Sequence, residues 1–354
     1  MLPSKNERPY PRIVVLGRPE RPRRPLLHAS LRPHEMYWEV LDAHGRVVAA
    51  AESPVHNLVL NQTWDDLIAA HGFRNLSSYA VVGTGSSTPA QTQTGLDAEV
   101  ARTSTVASGE RETIVDVGGG VFEITRVKQF SSAQVGGQNL TEWGWSPLSS
   151  AGANLATREL FRDANGNPVT LTLDPDQSLR LIYKQQITIA PQPMAGQAGS
   201  FNLVNVGSFS GTYWLSQKGS TAPLGFADAV ARGAVGGWGS SSEGIALYQK
   251  KTSIVAATHG TSDVDYANEV LVQFAPYTSG DRARTIQATT IDENTLNSTW
   301  YGLVYIYNDY ASPFSSDLDG LWFDWGGTLT KDSLHRLIID AFTALTWGPS
   351  QPPA

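Results

Sequence analysis

The sequence predicts a mainly β protein: an antiparallel β-sandwich domain with one short helix, then a second β-rich domain, behind an extended Pro/Arg-rich N-terminal arm. Three observations predict it. Over residues 36–190 apolar residues recur with period two in short runs, and Gly, Asn, Asp and Pro interrupt those runs at frequent intervals. From 191 onward the chain is again rich in short strand-like runs, now heavily aromatic. Residues 1–35 contain seven prolines (Pro3, Pro9, Pro11, Pro19, Pro22, Pro25, Pro33), which bar a helix and a sheet interior. The expected units are therefore a docking arm over 1–35, a sandwich assembly domain over 36–190 and an aromatic outer domain over 191–354.

Size and composition set the bounds. A chain of 354 residues is long enough for two cores. It has no cysteine, which excludes a disulfide framework, thiolate metal sites and a cysteine nucleophile. No apolar run reaches the roughly 20 residues of a membrane span, and the N-terminus lacks the apolar core of a signal peptide. The expectation is a protein made in the cytosol and soluble there, unless another machine carries it out. Residues 1–33 hold eight Lys or Arg against Glu7 and Glu20; that is +6 in a chain of net charge −7, leaving about −13 for the rest. Charged residues make up only 17%, a composition that suits a surface packing against copies of itself.

The elements follow in order. Within the arm, Ile13-Val14-Val15-Leu16 is an apolar island that suits strand addition to a neighbour's sheet edge better than a solvated tail. Residues 37–41 and 46–50 flank Asp42-Ala43-His44-Gly45 and read as a hairpin. Residues 61–72 predict the helix: Thr63 as N-cap, Asp65 and Asp66 in the first turn, Gly72 as the stop. Residues 79–82 read as a buried strand, left sharply through Gly83, Gly85 and Pro89. Residues 94–101 read as loop or a short helical segment. Strands follow at 114–117 and 121–127, broken by Gly118-Gly119-Gly120, and at 139–145. Asn165-Gly166 predicts a hairpin between 159–161 and 169–173, and 179–189 is a long strand with one apolar side. A Pro/Gly-containing linker is expected over 190–199. Beyond it, strands are expected at 212–215, 245–248, 270–274, 285–290, 300–307 and 321–325. Residues 332–346 fit a helix period, with a strand ending at 345–347 open as an alternative.

Several of these segments also carry a resemblance. In order they are Asn57-Leu58-Val59-Leu60-Asn61, the Val82-Gly83-Thr84-Gly85 loop running to Pro89, and residues 96–102. Next come Leu140-Thr141-Glu142-Trp143-Gly144, Asn154-Leu155, Leu160-Phe161-Arg162-Asp163 and Gly166-Asn167-Pro168-Val169-Thr170. The chain resembles, over about 37–190, a group of β-rich virion proteins of tailed bacteriophages: tail, collar, neck-fibre and tail-fibre proteins. Leu345-Thr346-Trp347-Gly348 is similar to their terminal strand. The basic arm and residues 250–330 fall outside the pattern. The resemblance implies a structural protein of the virion, made in the host cytoplasm and assembled with other virion proteins and copies of itself around a symmetry axis. The alternative it implies is an adhesin for a host surface glycan.

Candidate site residues follow from that reading. The arm would dock through Arg12, Ile13, Val14, Val15, Arg18, Arg21, Arg23 and Arg24 on an acidic partner subunit. Trp214, Trp238, Trp300 and Trp322, set among Gly, Ser, Asn and Asp, are the candidate receptor surface, with core and interface packing as the other use of such rings. No catalytic group, cofactor or metal is expected, no membrane contact is expected, and proline density and an acidic body disfavour nucleic acid. The Gly83–Pro89 loop lacks the Gly-Lys-Ser/Thr ending of a phosphate cradle. Asp163, Asn165, Asn167 and Asp174 have calcium-loop spacing, but Asn165-Gly166 reads better as a turn. Asp317, Asp319 and Asp324 with Gly320 read as a solvated loop before a cation site. The seven histidines are scattered without paired spacing. Glu142 beside Trp143 and Trp145 is the nearest candidate for glycoside chemistry, although core tryptophans read better there. Arg102 is expected to pair with Glu99 or with Glu142, or to stay exposed.

Overall fold

The computed structural model describes residues 27–52, 54, 57–67, 72–190, 197–203, 207–216, 222–235, 244–250, 264–291, 299–308, 320–330, 337–339 and 342–349. Strands dominate, in several antiparallel sheets, as the period-two pattern predicts. The docking-arm residues Arg12, Ile13, Val14, Val15, Arg18, Arg21, Arg23 and Arg24 lie outside the described residues, as do Trp238, Asp317 and Asp319.

Two long antiparallel strands, Leu27–Leu41 and Ser178–Ala190, form the spine. In the second, Leu179, Leu181, Tyr183, Gln185, Ile187 and Ile189 are all buried, so alternation runs unbroken and one face is apolar throughout. In the first, the parity changes: Leu27, Ala29 and Leu31 are buried, then Met36, Trp38 and Val40. The register shifts between Pro33 and Glu35, which makes His34 the extra residue of a bulge. One inserted residue flips every later side chain, and so keeps both apolar sets on the same face. Pro33, which has no N–H for a ladder, sits at that irregularity.

This corrects the expected arm. Residues 27–35 belong to the spine, and Leu27, Ala29 and Leu31 are core residues. The expected boundary at 190/191 is also crossed. The seven-stranded sheet runs Ala283–Ile286, Phe342–Pro349, Leu27–Leu41, Ser178–Ala190, Val121–Phe130, Thr113–Gly118, with Val47–Ala50 also on Leu27–Leu41. Its strands thus come from both halves of the chain. Phe342–Pro349 runs parallel to Leu27–Leu31, so the first and last described strands are neighbours.

Two cores share the spine. At one end, Met36, Trp38, Leu179, Leu181 and Tyr183 face a five-stranded sheet ordered Leu58–Val59, Thr157–Leu160, Glu142–Ser146, Tyr79–Gly83, Glu99–Thr103. Trp145 stacks on Tyr183 at 5.1 Å across this sandwich, and Trp143 stacks on Phe161 at 5.2 Å within the five-stranded layer. At the other end, Leu27, Ala29, Leu31, Ile187 and Ile189 join a second core with residues of the helix Ala222–Arg232 and of an eight-stranded sheet. That sheet includes Gly207–Ser216, Gly244–Lys250, Thr299–Asn308 and Gly320–Thr330. Gln185 is buried between the two cores, where its amide donates to the Phe73 carbonyl at 3.2 Å.

Other expectations resolve locally. The 42–45 hairpin is present: Asp42 accepts the N–H groups of His44 and Arg46, both at 2.9 Å, and Gly45 takes φ 78°. Gly118, Gly119 and Gly120 all have positive φ and turn the Thr113–Gly118 strand into Val121–Phe130. The 61–72 helix is shorter than expected. Helix Thr63–Asp66 is preceded by Gln62 at the N-cap position, and Gly72 opens a further helix, Gly72–Asn75, instead of stopping one. Residues 99–103 are a strand, a strand 197–203 begins inside the expected linker, 337–339 is a strand where a helix period was read, and the alternative of a strand at 345–347 holds within Phe342–Pro349. Among the described residues there are four helices, one of them Ser132–Val135, where the sequence predicted one short helix in the sandwich domain.

Deleting His34 is expected to push Met36, Trp38 and Val40 to the solvent face and abolish cooperative unfolding in near-UV circular dichroism. A deletion variant with the native spectrum and transition would contradict the role of the bulge.

Candidate functional site

Three carboxylates organise the loops: Glu142 and Asp228, which are buried, and Glu99, which is partly so. Glu142, on the inner strand Glu142–Ser146, is fully buried. Its Oε1 accepts the N–H groups of Gly85 (2.8 Å) and Ala98 (2.9 Å); its Oε2 accepts the Asp97 N–H (3.1 Å) and Arg158 Nε (3.0 Å) and Nη2 (2.7 Å). Gly85 must be glycine, because a Cβ there would lie 2.3 Å from Oε1. Arg158 is equally buried and also reaches Asp97 at 2.8 Å and the Ser87 hydroxyl. The Ser87 hydroxyl, with Arg158, holds the Asp97 carboxyl below its ordinary value. Every oxygen of Glu142 is committed, so it anchors two loops and is not placed for glycoside chemistry. Removing one member of such a buried pair costs about 3–5 kcal/mol.

Arg102 pairs with Glu99 and not Glu142, through two 3.0 Å bonds, and its Nη1 donates to Ser146, Leu148 and Asn154. The third carboxylate, Asp228 of helix Ala222–Arg232, accepts the Phe73 N–H at 2.5 Å and Arg74 Nε at 2.6 Å. Burial pushes its carboxyl up, against the pull of Arg74 and Phe73. Gly72 has φ 63° and its missing Cβ makes room for the Asp228 carboxyl, so this contact ties the two halves of the chain together. In the 163–167 turn, Asp163 accepts the N–H groups of Asn165 (2.9 Å) and Asn167 (2.8 Å), and Gly166 has φ 80°. Among the described residues no three His, Asp or Glu side chains gather as metal ligands.

A cleft of about 240 Å³ opens beside the spine. Leu31, Arg32 and Pro33 form one wall and Leu58 and Val59 the other; Trp64 and Arg282 close it, with Asn61 and Gln91 on the rim. The loop bearing Arg282 is pinned to helix Thr63–Asp66: Asp65 accepts the Tyr277 hydroxyl (2.5 Å), the Ser279 hydroxyl (2.7 Å) and the Gly280 N–H (3.0 Å). Burial works to raise the Asp65 carboxyl, but these bonds outweigh it and hold the group below its ordinary value. Burial and Asp65 push Tyr277 up to about 12. The Arg282 carbonyl accepts the Trp347 N–H at 3.0 Å. Held this way, Arg282 is the non-glycine residue with positive φ (48°) among the described residues, a conformation that costs about 1–2 kcal/mol. Its guanidinium lies 5.6 Å over the Trp64 ring. Nothing in the sequence announced this pairing of positions 64 and 282.

Two sheet edges carry exposed valines and have no further strand partner among the described residues. Val47 (48% exposed) and Val48 (52%) lie on Val47–Ala50, and Val115 (42%) and Val117 (52%) on the outermost strand Thr113–Gly118. The candidate receptor rings fare differently. Trp300 is fully buried in the second core, so it presents no face to a receptor and its assignment is corrected. Trp214 and Trp322 are backbone partners on the adjacent strands Gly207–Ser216 and Gly320–Thr330. Among the described residues no helix is long and apolar enough to cross a membrane. No protein-family model, curated protein or solved structure matches the chain.

Asp66, next to Asp65, has a buried Oδ2 without a hydrogen-bond partner. Burial first, and the Asp65 charge second, raise its carboxyl to about 6 from 3.8. The folded state therefore keeps this proton where the unfolded chain releases it. Its contribution to stability is full below the unfolded value and is lost as pH rises through the folded one. Asp66→Asn is expected to unfold at a higher temperature than the parent at about pH 7, with the gap closing towards about pH 4; a constant gap in the two melting profiles would contradict the burial.

Proposed function

We propose that the chain is a structural assembly protein that works by binding, a component of a tailed-phage particle built through contacts with copies of itself and with other virion proteins. The observation that supports this best is the pair of open edges in the seven-stranded sheet, each carrying two exposed valines. Strand edges with free N–H and C=O groups are templates for pairing with another chain, and proteins that stay apart guard them with Lys, Pro or an inward charge. Neither Val47–Ala50 nor Thr113–Gly118 holds Lys or Pro. The Asp116 carboxylate is turned back onto the Gly118 N–H at 2.8 Å. The buried carboxylates add support, since Glu142 and Asp228 are spent on holding loops and helices in place. The resemblance carried by the ordered motifs over 37–190 supports a virion as the setting of that assembly, and the seven basic residues before Leu27 would supply an arm for an acidic neighbour.

Val115→Lys with Val117→Lys is expected to turn a concentration-dependent oligomer into a monomer in sedimentation velocity, with the thermal midpoint unchanged. A variant lacking residues 1–26 is expected to fold yet be missing from purified particles that contain the parent at fixed stoichiometry. A parent protein monomeric at every concentration and absent from particles would defeat the proposal.

A further inference from the structure

The spine strand Leu27–Leu41 has a gap in its pairing. On the side away from Ser178–Ala190, Phe342–Pro349 covers residues 27–31 and Val47–Ala50 covers 39–41. Between them, among the described residues, no strand pairs with 32–37. Leu58–Val59 is the outer strand of the five-stranded sheet, and among the described residues no strand pairs with its far side. Both open edges border the same cleft, Arg32 and Pro33 from the first and Leu58 and Val59 from the second.

We propose that this slot receives an extended acidic segment of a partner protein, whose backbone pairs with the open edges and whose carboxylate is taken by Arg282 with Arg32 on the same rim. The proposal deepens the assembly reading by naming a partner's chemistry, and it rests on that reading only in that respect. Charge carries it first: Arg282 lines the cleft and, among the described residues, no Asp or Glu does. Arg32 is held by Gln186 at 2.7 Å, which fixes the reach of its guanidinium. Arg282 has no hydrogen-bond acceptor for its guanidinium among the described residues, although Asp65 lies near enough to feel its charge. The guanidinium sits 5.6 Å over the Trp64 ring, which holds it at the cleft, where its fork of N–H donors suits a bidentate carboxylate. Backbone strain at φ 48°, maintained by the bonds to Asp65 and Trp347, is the kind of local cost that persists where a side chain must be aimed. A peptide suits the slot better than an acidic sugar. Strand edges offer paired backbone groups, while the Trp64 ring that a sugar would stack on is 3% exposed and covered by Arg282.

Fluorescence anisotropy with a labelled Val-Glu-Val-Glu-Val peptide and its Val-Gln-Val-Gln-Val counterpart tests this on the full chain. The glutamate peptide is expected to bind saturably, at least about tenfold more tightly than the glutamine one, and more weakly as salt rises. Arg282→Gln is expected to reduce binding at least about tenfold. Arg282→Asn, which suits a positive φ, is expected to reduce it equally while unfolding at a temperature no lower than the parent. The Val115→Lys, Val117→Lys variant is expected to keep peptide binding, so this site and the open-edge assembly fail or stand separately. Equal binding of the two peptides, indifference to Arg282, no binding to the folded protein, or Arg282-dependent binding of D-glucuronate in place of the peptide would each overturn the proposal.

Discussion

The structure depends on a single strand, Ser178–Ala190, that buries every second side chain along its full length and so serves two cores at once. Leu179, Leu181 and Tyr183 close the sandwich, Ile187 and Ile189 enter the core built with the second half of the chain, and Gln185 stands between them. A strand can do this only if its neighbour presents the same face throughout. Leu27–Leu41 meets that demand with one extra residue at His34. Because the last described strand, Phe342–Pro349, also lies on Leu27–Leu31, the chain's two halves are joined through one sheet and not through a linker alone.

Buried charge complements that joint. Asp228 reaches from helix Ala222–Arg232 to Phe73 and Arg74, so a contact between the halves rests on a carboxylate whose removal would leave Arg74 without it. Glu142 and Arg158 do the same for the two loops over the sandwich. Groups that sequence reading weighs as possible chemistry are here consumed by architecture. Among the described residues, the outward features include strand edges, exposed valines and a cleft lined in part by arginine, and the assembly proposal rests on these.

Much of the fold was legible because strand alternation is a local property. Residues 178–190, the 42–45 hairpin and the three-glycine turn at 118–120 all read directly from spacing and turn chemistry. The misreadings have identifiable causes. Seven prolines made 1–35 look like one extended docking arm, and only tertiary pairing shows that 27–35 enters the core. Helix Ala222–Arg232 went unread although Pro223 in its first turn and Gly233 (φ 65°) at its end mark it, because its alanines carry little hydrophobic contrast. Residues 337–349 fit a helix period by coincidence; both runs are short and apolar, where period alone does not decide. Trp300 could be read as receptor surface or as packing, because its polar neighbours in sequence say nothing about which way a strand residue faces; its burial decides for packing. The Trp64–Arg282 contact spans distant parts of the chain and could not be seen from spacing at all.

The shared spine carries a thermodynamic consequence. If two cores hang on one strand pair, neither has a complete sheet without the other, and the chain must unfold as a unit. Differential scanning calorimetry tests this directly. A single transition, with equal calorimetric and van't Hoff enthalpies, is the expected result. Two resolved transitions, one for the sandwich and one for the second half, would contradict it.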